Sequence, residues 1–333
     1  MAEKKKPQIQ TYQPAYVFAY PEYAEVADQQ IEIYWPWNEI DVAKDKQVLL
    51  TEMTESEKHG VITALKLFTK YEIFVGNEYW LNRVMKKFPR PEIQRMASVF
   101  GHVELNSHAP FYNQINEELG LATEEFYNSY VEDPILVERM EFIDSLVDND
   151  DDALSLAGFS MVEGAVLYSS FAFLKHFQSN GKNKLMNICR GINMSVTDEN
   201  LHSVGGAMLC NQLVEELEMS EDEYTEFRNK VYQMAEKIYE HESRIIDMLF
   251  EQGPMDGITP EEMKIFVKSR INTCLGQLKL KPLYVLTKNP VADWFYKGIN
   301  NYQFNDFFSG LGREYQRNWV ANKFVWIPKG VAK

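Results

Sequence analysis

The chain is poor in the features that mark several large classes of protein. Cysteine occurs three times in 333 residues, at Cys189, Cys210 and Cys274, far apart and outside any CxxC pair. That pattern excludes a disulfide-stapled scaffold and a thiolate metal site, and it reads as core thiols in a reducing compartment, the cytoplasm. Basic residues are in deficit, with 34 Lys and Arg against 49 Asp and Glu and a formal net charge of −15. A surface of that sign repels a phosphate backbone, so nucleic acid is not an expected partner. No apolar run approaches the roughly 20 residues of a bilayer span, so no membrane association is expected. Lys4-Lys5-Lys6 lead into no apolar segment, so no signal peptide is expected either. Internal repeats and a second composition regime are also lacking, which points to one large domain.

What the chain has is 45% hydrophobic residues, set largely on a helical period. Thr54 with Glu57 forms a capping box, and Val61, Leu65, Phe68, Ile73 and Val75 carry a helix on to about Lys87. Pro89 and Pro91 separate it from a helix over about 91–118 that Gly120 ends. Pro110 lies inside that helix, where it removes a backbone hydrogen bond and forces a local distortion. One or two helices surround Pro134, and the acidic run at 148–152 leads into a stretch over 153–177 that is apolar on nearly every face. Further helices are expected over 183–217, from a Ser220/Glu223 cap to about Glu251, and after Thr259-Pro260. The reading is all-α, with an irregular N-terminal arm over 1–20, a helical domain over 21–297 and a C-terminal tail over 298–333.

Several of these helices carry acids and imidazoles at telling positions. Glu199 and His202 are three apart and Glu104 and His108 four apart, so each pair shares a helical face. One such pair means little among 49 acids, and Glu55 with His59 reads as a polar first helical turn. Glu163 is a sharper signal, because it is the only acid between Ala153 and Phe177. A carboxylate on so apolar a helix requires a partner. Glu72, taken alone, reads as exposed or salt-bridged. Two Glu/His pairs with one Glu from each of two further helices make a dinuclear iron or manganese site inside a helical bundle.

With these helices placed, the chain from about Trp35 to Asp306 resembles the small, radical-generating subunit of class I ribonucleotide reductase. The resemblance lies in the ordered set Glu72, Glu104 with His108, Glu163, and Glu199 with His202. It extends to Trp35 with Glu39-Ile40-Asp41, to Asp198 just before Glu199, and to Asn305-Asp306-Phe307-Phe308-Ser309-Gly310. It implies a ferritin-like bundle whose six ligands hold two Fe ions, with Mn possible. A dioxygen-derived oxidant would generate a tyrosyl radical on Tyr112, sheltered by neighbours such as Leu167 and Phe171. Radical transfer would run through Asp198, Trp35 and Tyr315 of the tail to a separate large subunit that reduces ribonucleotides to deoxyribonucleotides. A ribonucleoside-diphosphate reductase working as a homodimer with its large subunit is the implied assembly.

The chain departs from the family pattern in four places. Glu72 stands where Asp is usual, and Pro36 falls one place early. The tail is basic where many are acidic. The first Glu/His pair has one residue too many, which a π-bulge between Glu104 and Pro110 would absorb. That extra residue makes the radical position depend on the count: Tyr112 counted from His108, Phe111 counted from Glu104. Tyr112 is preferred because i,i+4 geometry from His108 sets it beside the cluster. The main rival is a ferritin-like di-iron carboxylate oxidase acting on a small molecule or lipid. It would share the six ligands but has no need of Tyr112, Trp35 and Asp198 together. An iron-storage or scaffold bundle fits a chain of this length and tail poorly.

Overall fold

The structure is a computed structural model that describes residues 6–300. Local chemistry sets where its helices begin. Thr54, Ser220 and Thr259 each accept a hydrogen bond from the backbone N–H three residues on, while Glu57, Glu223 and Glu262 return the bond, so three capping boxes start three helices. Asp133 and Asp151 cap two more through their side chains.

The order is α1 (Pro21–Ile33), α2 (Ala43–Thr51) and α3 (Glu55–Phe74), which runs through a π segment (Val75–Val84) into α4 (Met85–Lys87). Next come α5 (Pro91–Val103), a π turn (Glu104–His108), α6 (Ala109–Glu118), α7 (Glu124–Glu132) and α8 (Pro134–Val147). Then follow α9 (Asp152–Met161), a π turn (Val162–Val166), α10 (Tyr168–Lys175), α11 (Met186–Glu216), α12 (Glu221–Leu249), α13 (Pro260–Gln277) and α14 (Pro290–Asn300). The described residues form no strand; Met255 and Ile258 make an isolated bridge. The break at Pro134 gives two helices, α7 and α8. The α14 helix is one that the sequence reading did not separate; it seats Phe295 against Phe266 at 4.8 Å between ring centres.

The helices pack as a bundle. α9 and α10 lie inside it, α11 packs along α9, α5 lies between α1 and the Val75–Val84 segment, and α12 packs on α13 and α9. One expectation needs correction here. Asp152–Gly181 is long and apolar enough to cross a membrane, with mean hydropathy 1.3, and Glu163 conceals this from a search for uninterrupted apolar runs. Its most apolar window is 100% buried by the other helices, so it is a core helix. Residues 6–20 are irregular apart from a turn at Gln8–Gln10, yet they are anchored. The Ile9 N–H donates to the Glu216 carboxylate at 2.8 Å, and the Ala19 and Tyr20 N–H groups donate to Glu92 at 3.1 and 3.3 Å.

Two glycines let the first ligand-bearing helices touch. A Cβ at Gly101 would sit 2.6 Å from Leu81 Cγ and 3.1 Å from the Gly76 carbonyl, and one at Gly76 would sit 3.1 Å from the Glu104 Cβ. The contact brings the start of the Val75–Val84 segment against the Glu104 turn. Gly101→Ala therefore sets a helix-propensity gain of about 1 kcal/mol against an overpacking cost of about 1–3 kcal/mol. The expected net result is a lower urea midpoint with an unchanged slope; a raised midpoint would contradict the packing argument.

Candidate metal centre

Three of the four helices that carry the candidate ligands are locally widened. Glu72 lies one turn before the Val75–Val84 π segment, Glu104 and His108 bound their own π turn, and Glu163 lies within Val162–Val166. The fourth helix, α11, is a regular α-helix that presents Glu199 and His202 three apart. The Glu104–His108 turn is the π turn expected from the extra residue relative to the family's spacing and from Pro110. The Ala109 N–H bonds to the Glu104 carbonyl five residues back, so the extra residue is absorbed and both side chains reach the same interior. Pro110 follows at once, where its missing N–H lies at a turn already irregular.

The six candidates converge. Glu72, Glu104, His108 and Glu199 form one group and Glu104, Glu163, Glu199 and His202 a second, each offering one ligand atom within 4.8 Å of the others. Glu104 and Glu199 belong to both groups, the arrangement of two carboxylates shared between neighbouring ions. All six side chains are at most 1% exposed. His108 Nδ1 lies 3.0 Å from Glu104, 3.1 Å from Glu199 and 3.7 Å from Glu72. One ring nitrogen cannot satisfy three carboxylates. His202 Nδ1 lies 2.8 Å from Glu104 Oε1, yet neither ring nitrogen of His202 is aligned for a hydrogen bond. Both oxygens of Glu72, both of Glu199 and Glu163 Oε2 lack any hydrogen-bond partner.

Buried acceptors left unpaired at this density are costly in protein alone. The electrostatics agree. Burial and the neighbouring Glu104 charge push the Glu72 carboxyl well above the usual range, and burial with the Glu199 charge does the same to Glu163. Against its own burial, Glu104 is held far below that range by His108 and His202. His202, also against burial, is raised to about 9 by Glu104 and Glu199. Without cations the cluster must retain protons, because so many carboxylates cannot all ionise together. The donor set is oxygen and imidazole with no thiolate, and it fits two divalent ions of the iron and manganese kind.

The surrounding shell orients the cluster. Asp198 Oδ2 accepts from Trp35 Nε1 at 2.7 Å and pairs with His108 Nε2 at 3.0 Å, while Oδ1 accepts from Gln30 at 2.9 Å. With an ion bound, the carboxylate would hold the His108 proton on Nε2 and leave the Nδ1 lone pair for the ion. On the other side Trp80 Nε1 donates to Glu163 Oε1 at 2.8 Å. Tyr112 is wholly buried, its hydroxyl donates to Ser195 at 3.2 Å, and its ring stacks on Phe68 at 4.2 Å. Phe171 stands one ring further, against Phe68, and Leu167 is buried in the same core. Burial, then the Glu72 charge, raise the Tyr112 phenol well above its ordinary range. Phe111 turns elsewhere, against Trp35 at 5.6 Å and into the space left by Gly191, where a Cβ would meet its ring at 2.1 Å. Trp37 differs from Trp35 in being 37% exposed, so it is not a core anchor. Tyr315 and the tail from residue 301 onward lie outside the described residues.

Gln30, Trp80, Ser195 and Phe68 were not singled out from sequence. A lone Gln on a short helix carries no periodic signal, and Ser195, four residues before Glu199, shares that helical face but is too common a residue type to stand out. Trp80, eight residues after Glu72 on a largely apolar segment, was the most accessible of the four.

The sequence profile described as "Ribonucleotide reductase, small chain" matches residues 15–290. The chain belongs to this family. It is 25% identical, over 95% of its length and 86% of the relative's, to "Probable ribonucleoside-diphosphate reductase small subunit 048L" of Invertebrate iridescent virus 3. Its fold is that of the dimanganese(II)-NrdF of Streptococcus sanguinis, with a TM-score of 0.76 at 19% identity over 87% of this chain and 100% of that one. A second solved structure, from Bacillus halodurans, gives 0.75 at 21% identity over 84% of this chain and 100% of that one. The protein is thus a class I ribonucleotide reductase small subunit with a ferritin-like helical fold and a dinuclear metal site, and it works with a large subunit. The stand-alone carboxylate oxidase is not favoured.

Loading this small subunit must displace protons, since Glu72, Glu163 and His202 all hold theirs to higher pH than usual. Metal affinity should therefore rise with pH up to about 9, where His202 gives up its proton, with net proton release, read by calorimetry in buffers of different ionisation enthalpy. A pH-independent affinity would contradict it. Glu163→Ala should lower Mn²⁺ stoichiometry by half or more at unchanged helix content; unchanged dinuclear loading would remove Glu163 from the site.

Proposed function

We propose that this small subunit stores an oxidising equivalent on Tyr112 and delivers it through Asp198 and Trp35 to its large subunit, for reduction of ribonucleoside diphosphates. The observation that carries this reading is the unbroken line from Trp35 Nε1 to Asp198 Oδ2 to His108 Nε2, at 2.7 and 3.0 Å, which ends inside the ligand cluster. Glu72, Glu104, His108, Glu163, Glu199 and His202 would hold the two ions. Bound there and oxidised by a dioxygen-derived oxidant, the ions would supply one-electron oxidising power.

The chain's own residues do the rest. Oxidation of a buried phenol that stays protonated requires its proton to leave; Ser195 Oγ, which accepts from the Tyr112 hydroxyl at 3.2 Å, is too weak a base to keep that proton and orients the hydroxyl instead. Phe68 and the rings behind it keep water and reductants from the oxidised ring. Asp198 stays an acceptor for both Trp35 and His108, so an electron leaving Trp35 moves along a fixed hydrogen-bonded path. Beyond Trp35 the path continues to Tyr315, in a C-terminal tail over 298–333 that docks on the large subunit.

Two irons are the metals we propose. The same hard donors would take manganese, the metal named for the Streptococcus sanguinis structure. A homodimer is the assembly we propose, on the family resemblance. A cytoplasmic location is supported by three buried, free cysteines.

Tyr112→Phe should abolish the organic-radical signal in the metal-loaded protein while leaving metal content intact; a persisting signal would move the radical off Tyr112. Truncation after Gly310 should leave that signal in place and abolish turnover with the large subunit. Full activity in the truncated chain would remove the tail from the mechanism. Loss on truncation without loss in Tyr315→Phe would keep docking and move the relay to another tail aromatic.

A further inference from the structure

The α9–α10 helix bears Glu163 on a π turn, and a widened turn tilts carbonyls away from the helix axis, where outside donors can reach them. Two of the turn's carbonyls are met by buried guanidinium groups from other helices. Arg270 on α13 donates from Nε to the Gly164 carbonyl at 2.9 Å. Arg139 on α8 donates from Nη2 to the Val166 carbonyl at 3.2 Å. These arginines are 3% and 1% exposed.

Each guanidinium is itself fixed. Arg270 lies over the Tyr168 ring at 3.8 Å and donates from Nη1 to the Tyr296 hydroxyl at 3.0 Å. Arg139 Nε lies 3.3 Å from Glu242, whose other oxygen accepts from Ser169. The turn has no slack on its remaining side. A Cβ at Gly164 would stand 2.4 Å from both Cys274 Sγ and Ser203 Oγ.

Burying a guanidinium is costly, and a general packing role would be met as well by an apolar side chain. The donors instead go to the carbonyls one and three residues after Glu163. We propose that Arg270 and Arg139 are positioning residues that clamp the Val162–Val166 turn and so aim Glu163 at one of the two ions. The consequence is selective, because Glu163 belongs only to the group with Glu104, Glu199 and His202, while Glu72 serves the other. This inference rests on the reading that the two groups hold two ions.

The test is Mn²⁺ alone, titrated into the full-length chain, with free and bound ion followed by electron paramagnetic resonance. The wild-type chain should take two ions and show the signal of an exchange-coupled pair; failure at this step would overturn the two-ion reading itself. In Arg270→Met the second ion should bind about 10–100-fold more weakly, the first should be unaffected, and the signal should become that of a lone ion. Arg139→Met should act in the same direction. Arg270→Lys keeps the charge and one donor but not the guanidinium geometry, and it should show a smaller loss confined to the second ion, so it serves if Arg270→Met does not fold. Arg90→Met, which removes a buried arginine paired with Glu92 at 3.0 Å, should lower thermal stability without changing either ion. Equal weakening of both ions, or wild-type binding, in folded Arg270 variants would overturn the proposal.

Discussion

Four carboxylates and two imidazoles meet in a space that the surrounding apolar helices keep dry. Desolvation and mutual repulsion set the terms for everything around them, because an uncompensated buried charge costs several kcal/mol. The cluster can exist as protonated acids and imidazolium ions or as ligands to cations. Its unpaired oxygens and the three carboxylates crowding one His108 nitrogen suit the second state. Stability and loading are thereby linked: whatever binds the folded cluster and not the unfolded chain stabilises the fold.

The bundle meets this constraint by departing from regular helix where the ligands sit. Widened turns accompany Glu72, Glu104 with His108, and Glu163, whereas Glu199 and His202 use an ordinary i,i+3 face. Glycines at 76 and 101 let backbones approach until side chains of ordinary length span the gap. The aromatic shell serves two ends. Phe68 and Phe171 seclude Tyr112, while Trp35 and Trp80 each hold a polar group at or beside a ligand through an indole N–H. The surroundings are thus apolar on the tyrosine side and hydrogen-bonded on the tryptophan sides.

Much of this was written in the chain itself. Capping boxes at Thr54 and Ser220 and the apolar period after them fix the helices, because these are interactions between residues within one turn. Glu163 declared itself because a carboxylate on an otherwise apolar helix has no local remedy. The four-residue gap between Glu104 and His108 shares a face on a regular helix as well; it pointed to a wide turn only when set against the family's three-residue spacing. These are local signals with local causes, and together they carry the resemblance that membership of the small-chain family bears out.

Other features only the tertiary structure decided. Gln30 reaches Asp198 across 168 residues of sequence, Trp80 reaches Glu163 across 83, and Arg270 reaches the Gly164 carbonyl across 106. No periodicity records such meetings, because they depend on which helix faces lie together after folding. Counting along the chain left Phe111 and Tyr112 both eligible. Packing separated them: Gly191 on α11 leaves a space that Phe111 fills, and the next residue, about 100° around the helix, turns Tyr112 to Phe68 and Ser195. The sequence determined which side chains could form a metal centre, through spacing and the cost of burying charge. The fold determined which atoms they present to one another, because that is set by contacts between helices far apart in the chain.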